Sequence, residues 1–329
     1  MGIYEIYRKK IYPNIDNWYH TADSIRYRKF ALRLSDHFLS DQSFHPRQIM
    51  RITKGEFSYE YFNFCYLHNI LSLMLYAVYH RAIPLVCINE SEKDLIQWEW
   101  YFHQPEFPSA GIRESASSDC PHVTASFQPR FQDIYDPSLV RLWGKLYENF
   151  VRLNDTTRKY VDAEYQTLFS KKRQVLGVIC RGTDYTSLHP PGHPVQPPVE
   201  DVIALCREQL KSGAYDAIYL ATEEKQIRDA FCEAFPGMIL ENKRRYYDEI
   251  YYKDDSIQYI KDVRFDRDNN NYWMGLEYLS SILLLSRCTA LIGGNCGGTM
   301  AALFFNNGRY RYTHIFNLGL YPWSSPENR

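Results

Sequence analysis

The sequence predicts an α/β protein with parallel sheets and two domains. In the carboxyl-terminal half, apolar strand-like runs alternate with helical segments, the pattern of a doubly wound parallel sheet. A chain of 329 residues is longer than a single hydrophobic core usually serves, so two domains are expected. We predict one α/β domain over residues 1–165 and a second, Rossmann-like domain over residues 166–329.

Composition and charge argue against several classes of protein. Hydrophobic residues make up 45% and charged residues 23% of the chain, as in ordinary globular proteins. A net charge of −1 argues against a nucleic-acid binder. No window approaches the roughly 18 apolar residues of a membrane span, and the first residues lack an apolar signal, so we expect a cytoplasmic protein. The eight cysteines form no Cys-x-x-Cys pair and are expected to be reduced.

The amino-terminal half contains one firm helix-to-strand unit. Apolar residues at steps of three and four predict an amphipathic helix over residues 66–80, and an apolar run predicts a buried strand over 84–88. Pro137, which follows Asp136, predicts the start of another helix. A dense aromatic group between them is either a surface for stacking sugar rings or a packed wall, and we favour the wall. Its members are Trp98, Trp100, Tyr101, Phe102 and His103.

The chain is organised around the stretch VLGVICRGTDY, Val175 to Tyr185. Its β-branched apolar run predicts a strand buried on both faces, and open α/β sheets bind ligands at the carboxyl ends of their strands. Arg181 has a planar fork of donors that suits a phosphate, while Asp184 can accept from a hydroxyl or hold that fork. An ion pair between these two residues at the strand end is the alternative interpretation.

A stiff loop with four prolines, TSLHPPGHPVQPPVEDV, follows this strand and contains His189, His193 and Gln196. Because imidazole titrates near neutral pH, either histidine could act as a general base; a solvated or merely hydrogen-bonded histidine is the alternative. The loop offers two histidines with no clear third ligand, which does not favour a metal site.

Two later strand ends also carry polar groups. The strand over residues 217–221 ends in Thr222 and Glu223, and the strand over 289–292 ends in the turn GGNCGGT. A glycine-rich turn before a helix exposes backbone amides beside the helix amino terminus, where phosphate binds well. The turn lacks the Gly-Lys-Ser/Thr of a P-loop and the spacing of a dinucleotide fingerprint. Combined with Arg181 in the same predicted sheet, it favours an anion site.

The polar run at Asp266-Arg267-Asp268 matches the Asp-x-Asp that holds a divalent metal in one class of sugar transferase. The motif is short and common, and no apolar strand precedes it to place it in a site. We keep a metal-dependent sugar transferase that uses Asp266 and Asp268 as an alternative.

Three segments, in this order, resemble motifs of the superfamily of GDP-fucose-dependent fucosyltransferases, specifically its bacterial members of the GT-B type. They are VICRGTDY, LATEE and LLLSRCTALIGGNCGGTMAAL. The resemblance covers residues 175–318 best. It implies two Rossmann-type domains that face each other across a cleft, with the acceptor bound by the amino-terminal domain and the donor by the carboxyl-terminal domain.

The resemblance also implies roles for individual residues. Arg181 would bind the donor's β-phosphate and stabilise the departing GDP. Thr222 and Glu223 would face the nucleoside. The diphosphate would be held by the turn residues Asn295, Gly297, Gly298 and Thr299. The base is not given by the motif, so His189, His193 and Asp184 remain the candidates. Two positions depart from the family: Ile179 replaces the motif histidine, and Gly182 replaces a second arginine found in some members.

The sequence therefore predicts an inverting glycosyltransferase that needs no metal or other cofactor. Its partners would be a nucleotide-sugar donor, with GDP-fucose first among the candidates, and an oligosaccharide or polysaccharide acceptor. Such an enzyme would act in polysaccharide biosynthesis, without nucleic acid and without an integral membrane segment. A non-catalytic protein that binds a nucleotide sugar or a glycan is the alternative outside the enzymes.

Overall fold

The computed structural model describes residues 29–31, 33–34, 45–53, 59–106, 117–120, 128–171 and 174–322. The chain divides into two units. The first comprises residues 1–60, 65–130 and 145–154, and the second comprises 61–64, 131–144 and 155–329. The division at residue 165 and the facing arrangement of two domains stay predictions.

The first unit contains a three-stranded parallel sheet. Strand β1 (Gln48–Ile52) pairs with β2 (Ala82–Val86) on one side and with β3 (Ser117–Asp119) on the other. Helix α1 (Phe64–Tyr79) precedes β2, and it buries Leu67, Ile70, Leu71, Met74 and Leu75. The predicted helix-to-strand unit is therefore confirmed, with each element beginning two residues earlier than predicted.

The aromatic group of the first unit is interior packing. Trp98, Tyr101 and Phe102 are each no more than 1% exposed, and the indole nitrogen of Trp98 donates to the carbonyl of His103 at 2.9 Å. Rings so deeply buried cannot stack on a sugar in this conformation. These three residues therefore form a packed wall, the interpretation that the sequence favoured.

Helix α2 (Pro137–Phe150) begins where the sequence predicts. The carboxylate Oδ1 of Asp136 accepts from the Ser138 amide at 2.8 Å and from its hydroxyl at 2.6 Å, which satisfies an amide of the first turn. Pro137 occupies the first helical position, where a missing N–H costs nothing. Helix α3 (Asp155–Phe169) follows.

The second unit contains a five-stranded sheet in which every pairing is parallel. Its order is β6-β5-β4-β7-β8. The strands are β4 (Val175–Ile179), β5 (Ala217–Ala221), β6 (Ile239–Leu240), β7 (Ala290–Gly294) and β8 (Tyr312–Phe316). Besides α3, its helices are α4 (Asp184–Ser187), α5 (Val199–Leu210), α6 (Lys225–Ala234), α7 (Asp248–Tyr251), α8 (Asn270–Ser286) and α9 (Gly297–Asn306). The α/β fold class is confirmed.

The strand order places a topological switch point between β4 and β7. From β4 the chain builds outward through β5 to β6, then returns to the other side of β4 as β7 and β8. Every residue of β4, β5 and β7 is buried, which accounts for the continuous apolar runs of the sequence. Open α/β sheets bind ligands outside the carboxyl ends of the strands at such a point. The fold thus directs attention to the residues that follow β4 and β7.

The cysteines and the helices bear on two further predictions, reduced thiols and the lack of a membrane span. All eight cysteines lie among them and are free thiols, as predicted. None of the helices in the described ranges combines the length and apolar character needed to cross a bilayer. The cytoplasmic location stays a prediction.

Candidate functional site

The carboxyl edge of the second unit's sheet carries the predicted site residues. Arg181 follows β4, the pair Thr222 and Glu223 follows β5, and Asn295 follows β7. Because β4 lies between β5 and β7, the three strand ends are neighbours along this edge. The sheet therefore brings together polar groups that are more than 100 residues apart in the chain.

Arg181 is held between two carboxylates. Its Nη1 lies 2.7 Å from Glu223 Oε1, and its Nη2 donates to Asp184 Oδ1 at 2.9 Å. The guanidinium carbon also lies 4.7 Å from the centre of the Tyr185 ring. The strand-end ion pair that the sequence left as an alternative is thus present, and Glu223 extends it to a pair of carboxylates. Whether the same guanidinium also binds phosphate stays a prediction.

The loop after β4 donates hydrogen bonds to the carboxylates of Glu223 and Glu224, which follow β5. Glu223 Oε1 accepts from the Gly182 amide at 2.9 Å and from the Thr183 hydroxyl at 3.1 Å. Glu224 Oε2 accepts from the Thr183 amide at 2.8 Å. Thr183 has a φ of +47°, a conformation that costs a β-branched residue about 1–3 kcal/mol. The loop is therefore held in a strained shape by two adjacent glutamates.

The pKa values follow from burial and from these contacts. Burial raises the pKa of Glu223, but Arg181 and the Gly182 amide outweigh burial and the pKa is lowered overall. Burial lowers the pKa of Arg181, yet Glu223 and Asp184 raise it well above its ordinary value. For Asp184 and Glu224 burial dominates, and both pKa values are raised. The Arg181–Glu223 pair is thus ionised, and the two carboxyl groups beside it, those of Asp184 and Glu224, have raised pKa values.

Glu224 explains why glycine occupies position 182. A side chain at Gly182 would begin where the carboxylate of Glu224 already lies, and it would also press on Ile227. The space that a second arginine would need is therefore filled by a buried carboxylate. At this point the chain departs from the family motif in charge as well as in size.

Thr222 and Glu223 are engaged within the protein. The Thr222 hydroxyl accepts from the Glu224 amide at 3.2 Å, and the carbonyl of Glu223 accepts from the Tyr247 amide at 2.9 Å. Both side chains are buried, with 4% and 6% exposed. In this conformation Glu223 orders the loop after β4 and Thr222 orders its own segment, while the contact of both with a nucleoside stays a prediction.

The last residues of β7, which begin the glycine-rich segment, approach the end of β4 closely. A Cβ on Gly293 would collide with the carbonyl oxygen of its β4 neighbour Ile179, so only glycine fits there. The Thr299 hydroxyl donates to the Gly294 carbonyl at 2.6 Å and is fully buried. Thr299 therefore orders the turn from within, and its contact with a diphosphate stays a prediction.

Helix α9 begins at Gly297 without a side-chain cap. Cys296, the residue before it, makes no capping hydrogen bond, so no side-chain cap occupies the first-turn amides. A Cβ placed on Gly297 would meet the Phe64 Cβ at an ordinary contact distance of 3.7 Å. An uncapped helix amino terminus is the kind of place where an anion binds.

Gln196 ties the proline-rich loop to this turn. Its amide nitrogen donates to the carbonyl of Asn295 at 2.8 Å and to that of Pro194 at 3.1 Å, and its side chain packs against Gly294. The loop also pairs with the segment that follows β8, since the Tyr321 amide donates to the His193 carbonyl at 2.8 Å. The sequence names Gln196 as a loop residue but does not give it this role.

The two histidines of the loop have different surroundings. His193 packs between two rings, with its ring centre 5.4 Å from that of Tyr185 and 6.0 Å from that of Phe131. His189 is exposed and its ring lies 4.8 Å from that of Tyr321. Because Tyr185 also contacts Arg181, the structure brings His193 toward the predicted site through one ring. It gives His189 no such connection among the described contacts.

The Asp-x-Asp segment shows no arrangement for a metal. Asp266 and Asp268 are exposed, while Arg267 between them forms a bidentate ion pair with Glu277. Within the ranges that the structure describes, no three His, Cys, Asp or Glu side chains are grouped to hold a metal ion. The contacts of this segment are those of an ordered surface turn.

No family model matches the chain, and no curated protein matches it. Among solved structures, the NodZ α-1,6-fucosyltransferase soaked with GDP-fucose is 15% identical, with a TM-score of 0.44 over 79% of this chain and 93% of NodZ. A mutant of Arabidopsis thaliana FUT1 in complex with GDP is 10% identical, with a TM-score of 0.48 over 90% and 78%. The fucosyltransferase NodZ from Bradyrhizobium is 14% identical, with a TM-score of 0.43 over 78% and 92%. The resemblance predicted from the sequence agrees with these findings.

Replacing each of the two adjacent glutamates by glutamine should affect stability differently. Glu223→Gln removes the charge that pairs with Arg181 and should lower the free energy of unfolding by about 2–3 kcal/mol at pH 7. Glu224→Gln keeps an oxygen for the Thr183 amide and removes a charge that burial disfavours, so no loss is expected. Urea denaturation of both variants measures the difference.

The effect of Glu223→Gln should also depend on pH. The folded-state pKa of Glu223 is lowered, so its carboxylate stabilises the fold above the ordinary glutamate pKa of about 4 and loses that effect as the pH falls below it. The difference between wild type and Glu223→Gln should therefore shrink in acid. A difference that stays constant from pH 7 to pH 3 would contradict the ionised pair.

Proposed function

We propose that this protein transfers a sugar from a nucleotide diphosphate sugar to a glycan acceptor, with inversion and without a metal. GDP-fucose is the first candidate donor, because three motifs in order resemble the fucosyltransferase superfamily. The observation that carries the proposal is the switch point: Arg181 and the uncapped helix α9 follow the two strands, β4 and β7, that flank it. A ligand bound there would meet a guanidinium on one side and backbone amides on the other.

Arg181 keeps donors for a phosphate although it is paired. A guanidinium has five N–H donors, and the two ion pairs described above require one on each terminal nitrogen. The two carboxylates hold its plane, which reduces the entropy lost when a phosphate binds. As the bond to the sugar breaks, negative charge grows on the leaving diphosphate, and a fixed guanidinium and helix amides stabilise it.

His193 is the base that the geometry supports best. Its Nδ1 lies 3.2 Å from the carbonyl oxygen of Pro191. A carbonyl only accepts, so this hydrogen bond places a proton on Nδ1, and in the neutral ring Nε2 then carries the lone pair. A neutral imidazole in that tautomer can take a proton from an acceptor hydroxyl. Asp184 is less suited because its carboxylate is paired with Arg181.

Arg181 should be required for donor binding. Arg181→Lys retains a charge for Glu223 but loses the planar fork, so the stabilisation of the fold by GDP should fall markedly. Arg245→Ala removes an exposed arginine of the same unit and serves as the matched control. Thermal-shift titration with GDP, UDP and CMP measures both, and it shows which nucleotide binds. Equal shifts for Arg181→Lys and wild type would remove Arg181 from the donor site.

The two loop histidines provide a matched pair for the base. His193→Ala should lower kcat by about 10²- to 10⁴-fold and leave the affinity for GDP unchanged, because a base acts only in the chemical step. His189→Ala should have little effect. Initial rates of sugar transfer, together with GDP titrations of both variants, make the comparison. Transfer at the wild-type rate by His193→Ala would assign the proton to another group.

Transfer should persist when metal ions are removed. The proposed positive groups are Arg181 and the amides of α9, so dialysis into excess EDTA should leave the rate within about twofold. Asp266→Asn combined with Asp268→Asn should likewise be active. Loss of activity in EDTA that Mg²⁺ or Mn²⁺ restores would instead support the metal-dependent alternative.

Donor hydrolysis separates an enzyme from a binding protein. A glycosyltransferase should hydrolyse its donor slowly when no acceptor is present, because water can take the acceptor's place. A protein that binds the nucleotide sugar without transferring it should release it intact. Chromatography of GDP-fucose after prolonged incubation with the protein distinguishes the two.

A further inference from the structure

A cavity of about 150 Å³ opens beside the glycine-rich turn, within the second unit. Its walls come from four places: the segment that contains Phe131 and Tyr135, Pro194 of the proline-rich loop, Asn295 directly after β7, and the segment that runs from the end of β8 to residue 320. Asn295 lies two residues before helix α9. The cavity therefore adjoins the proposed diphosphate site.

The lining of the cavity is uncharged. Of its ten residues, three are aromatic and three are amides, and none is acidic or basic. The aromatic residues are Phe131, Tyr135 and Phe316, and the amides are Gln132, Asn295 and Asn317. Aromatic faces combined with amide groups suit a neutral ligand that has both apolar C–H faces and hydroxyl groups. They do not suit a phosphate, which needs positive charge.

Exposed apolar side chains gather at this cavity. Six large hydrophobic side chains are exposed in the described part of the chain, and three of them line it: Tyr135 at 42%, Leu318 at 48% and Leu320 at 44%. Apolar exposure that is concentrated around one opening, rather than scattered singly, marks a binding surface.

Hydrogen bonds of Asn295 and Tyr135 link the walls of the cavity. Asn295 is 4% exposed, and its amide nitrogen donates to the Phe131 carbonyl at 2.8 Å. The Tyr135 hydroxyl hydrogen-bonds to the Asn295 side chain and donates to the Phe316 carbonyl at 3.4 Å. The segment of Phe131 and Tyr135 is thereby tied to the residues at the ends of β7 and β8.

We propose that this cavity binds the sugar ring of the donor. The inference rests on the proposed function and adds where the neutral half of a nucleotide sugar is held. The sugar is bonded directly to the diphosphate, so a ring in the cavity and a diphosphate at α9 are adjacent in the ligand as they are in the protein. The cavity volume of about 150 Å³ equals that of a known engineered cavity that holds one benzene molecule, so the space is of the order of a single six-membered ring.

The experiment compares GDP with GDP-fucose by isothermal titration calorimetry. In the wild type, GDP-fucose should bind more tightly than GDP because the ring adds contacts in the cavity. Tyr135→Ala and Asn317→Leu, both at exposed positions of the wall, should each reduce this advantage by up to about tenfold. The affinity for GDP itself should stay within about twofold. Tyr259→Ala, at a tyrosine of equal exposure (42%) outside the cavity, is the control and should keep the advantage.

The outcomes distinguish this inference from the proposed function. If the wild type binds neither GDP nor GDP-fucose, the proposed donor is wrong. If it binds both with the same affinity, or if the wall variants weaken both equally, the donor site stands and the cavity does not hold the sugar. A loss confined to GDP-fucose in both wall variants, and absent from Tyr259→Ala, supports the assignment.

Discussion

A buried guanidinium has to be paired, and the pairing of Arg181 organises the carboxyl edge of the second unit's sheet. Glu223, which follows β5, and Asp184, at the start of α4, satisfy it, and the same Glu223 oxygen holds the amide of Gly182. Breaking such a pair leaves an uncompensated charge, which is far costlier than never forming it. The ionised pair, together with the contact of Glu224 with the Thr183 amide, therefore fixes the loop after β4.

Much of the second unit could be predicted from sequence because its signals are local. Continuous apolar runs indicate buried parallel strands, and glycine before a helix indicates a close turn, so β4, β5, β7 and the start of α9 were found. The ion pair between Arg181 and Glu223 could not be predicted, because it joins residues from different strands and depends on strand order. Gln196 was missed as a link for the same reason: its partner, Asn295, is 99 residues away.

Glu224 shows how a departure from a motif can have a structural cause elsewhere. From the sequence alone, Gly182 is only a missing arginine. In the structure the Glu224 carboxylate occupies the space where a side chain at position 182 would lie, so glycine is the residue that fits. The local charge changes from positive to negative at this point. In the proposed function, Arg181 and the backbone amides at the start of α9 are the positive groups that would meet the diphosphate.

Thr183 adopts a backbone conformation that glycine would occupy without strain, yet its hydroxyl is needed against Glu223. Stability and order at the site therefore oppose each other at a single position. Only glycine would relieve the strain, and Thr183→Gly would remove a fully buried side chain together with a contact of the carboxylate that holds Arg181. Position 183 is thus constrained from two sides: glycine loses the hydroxyl, and every other residue keeps the strain.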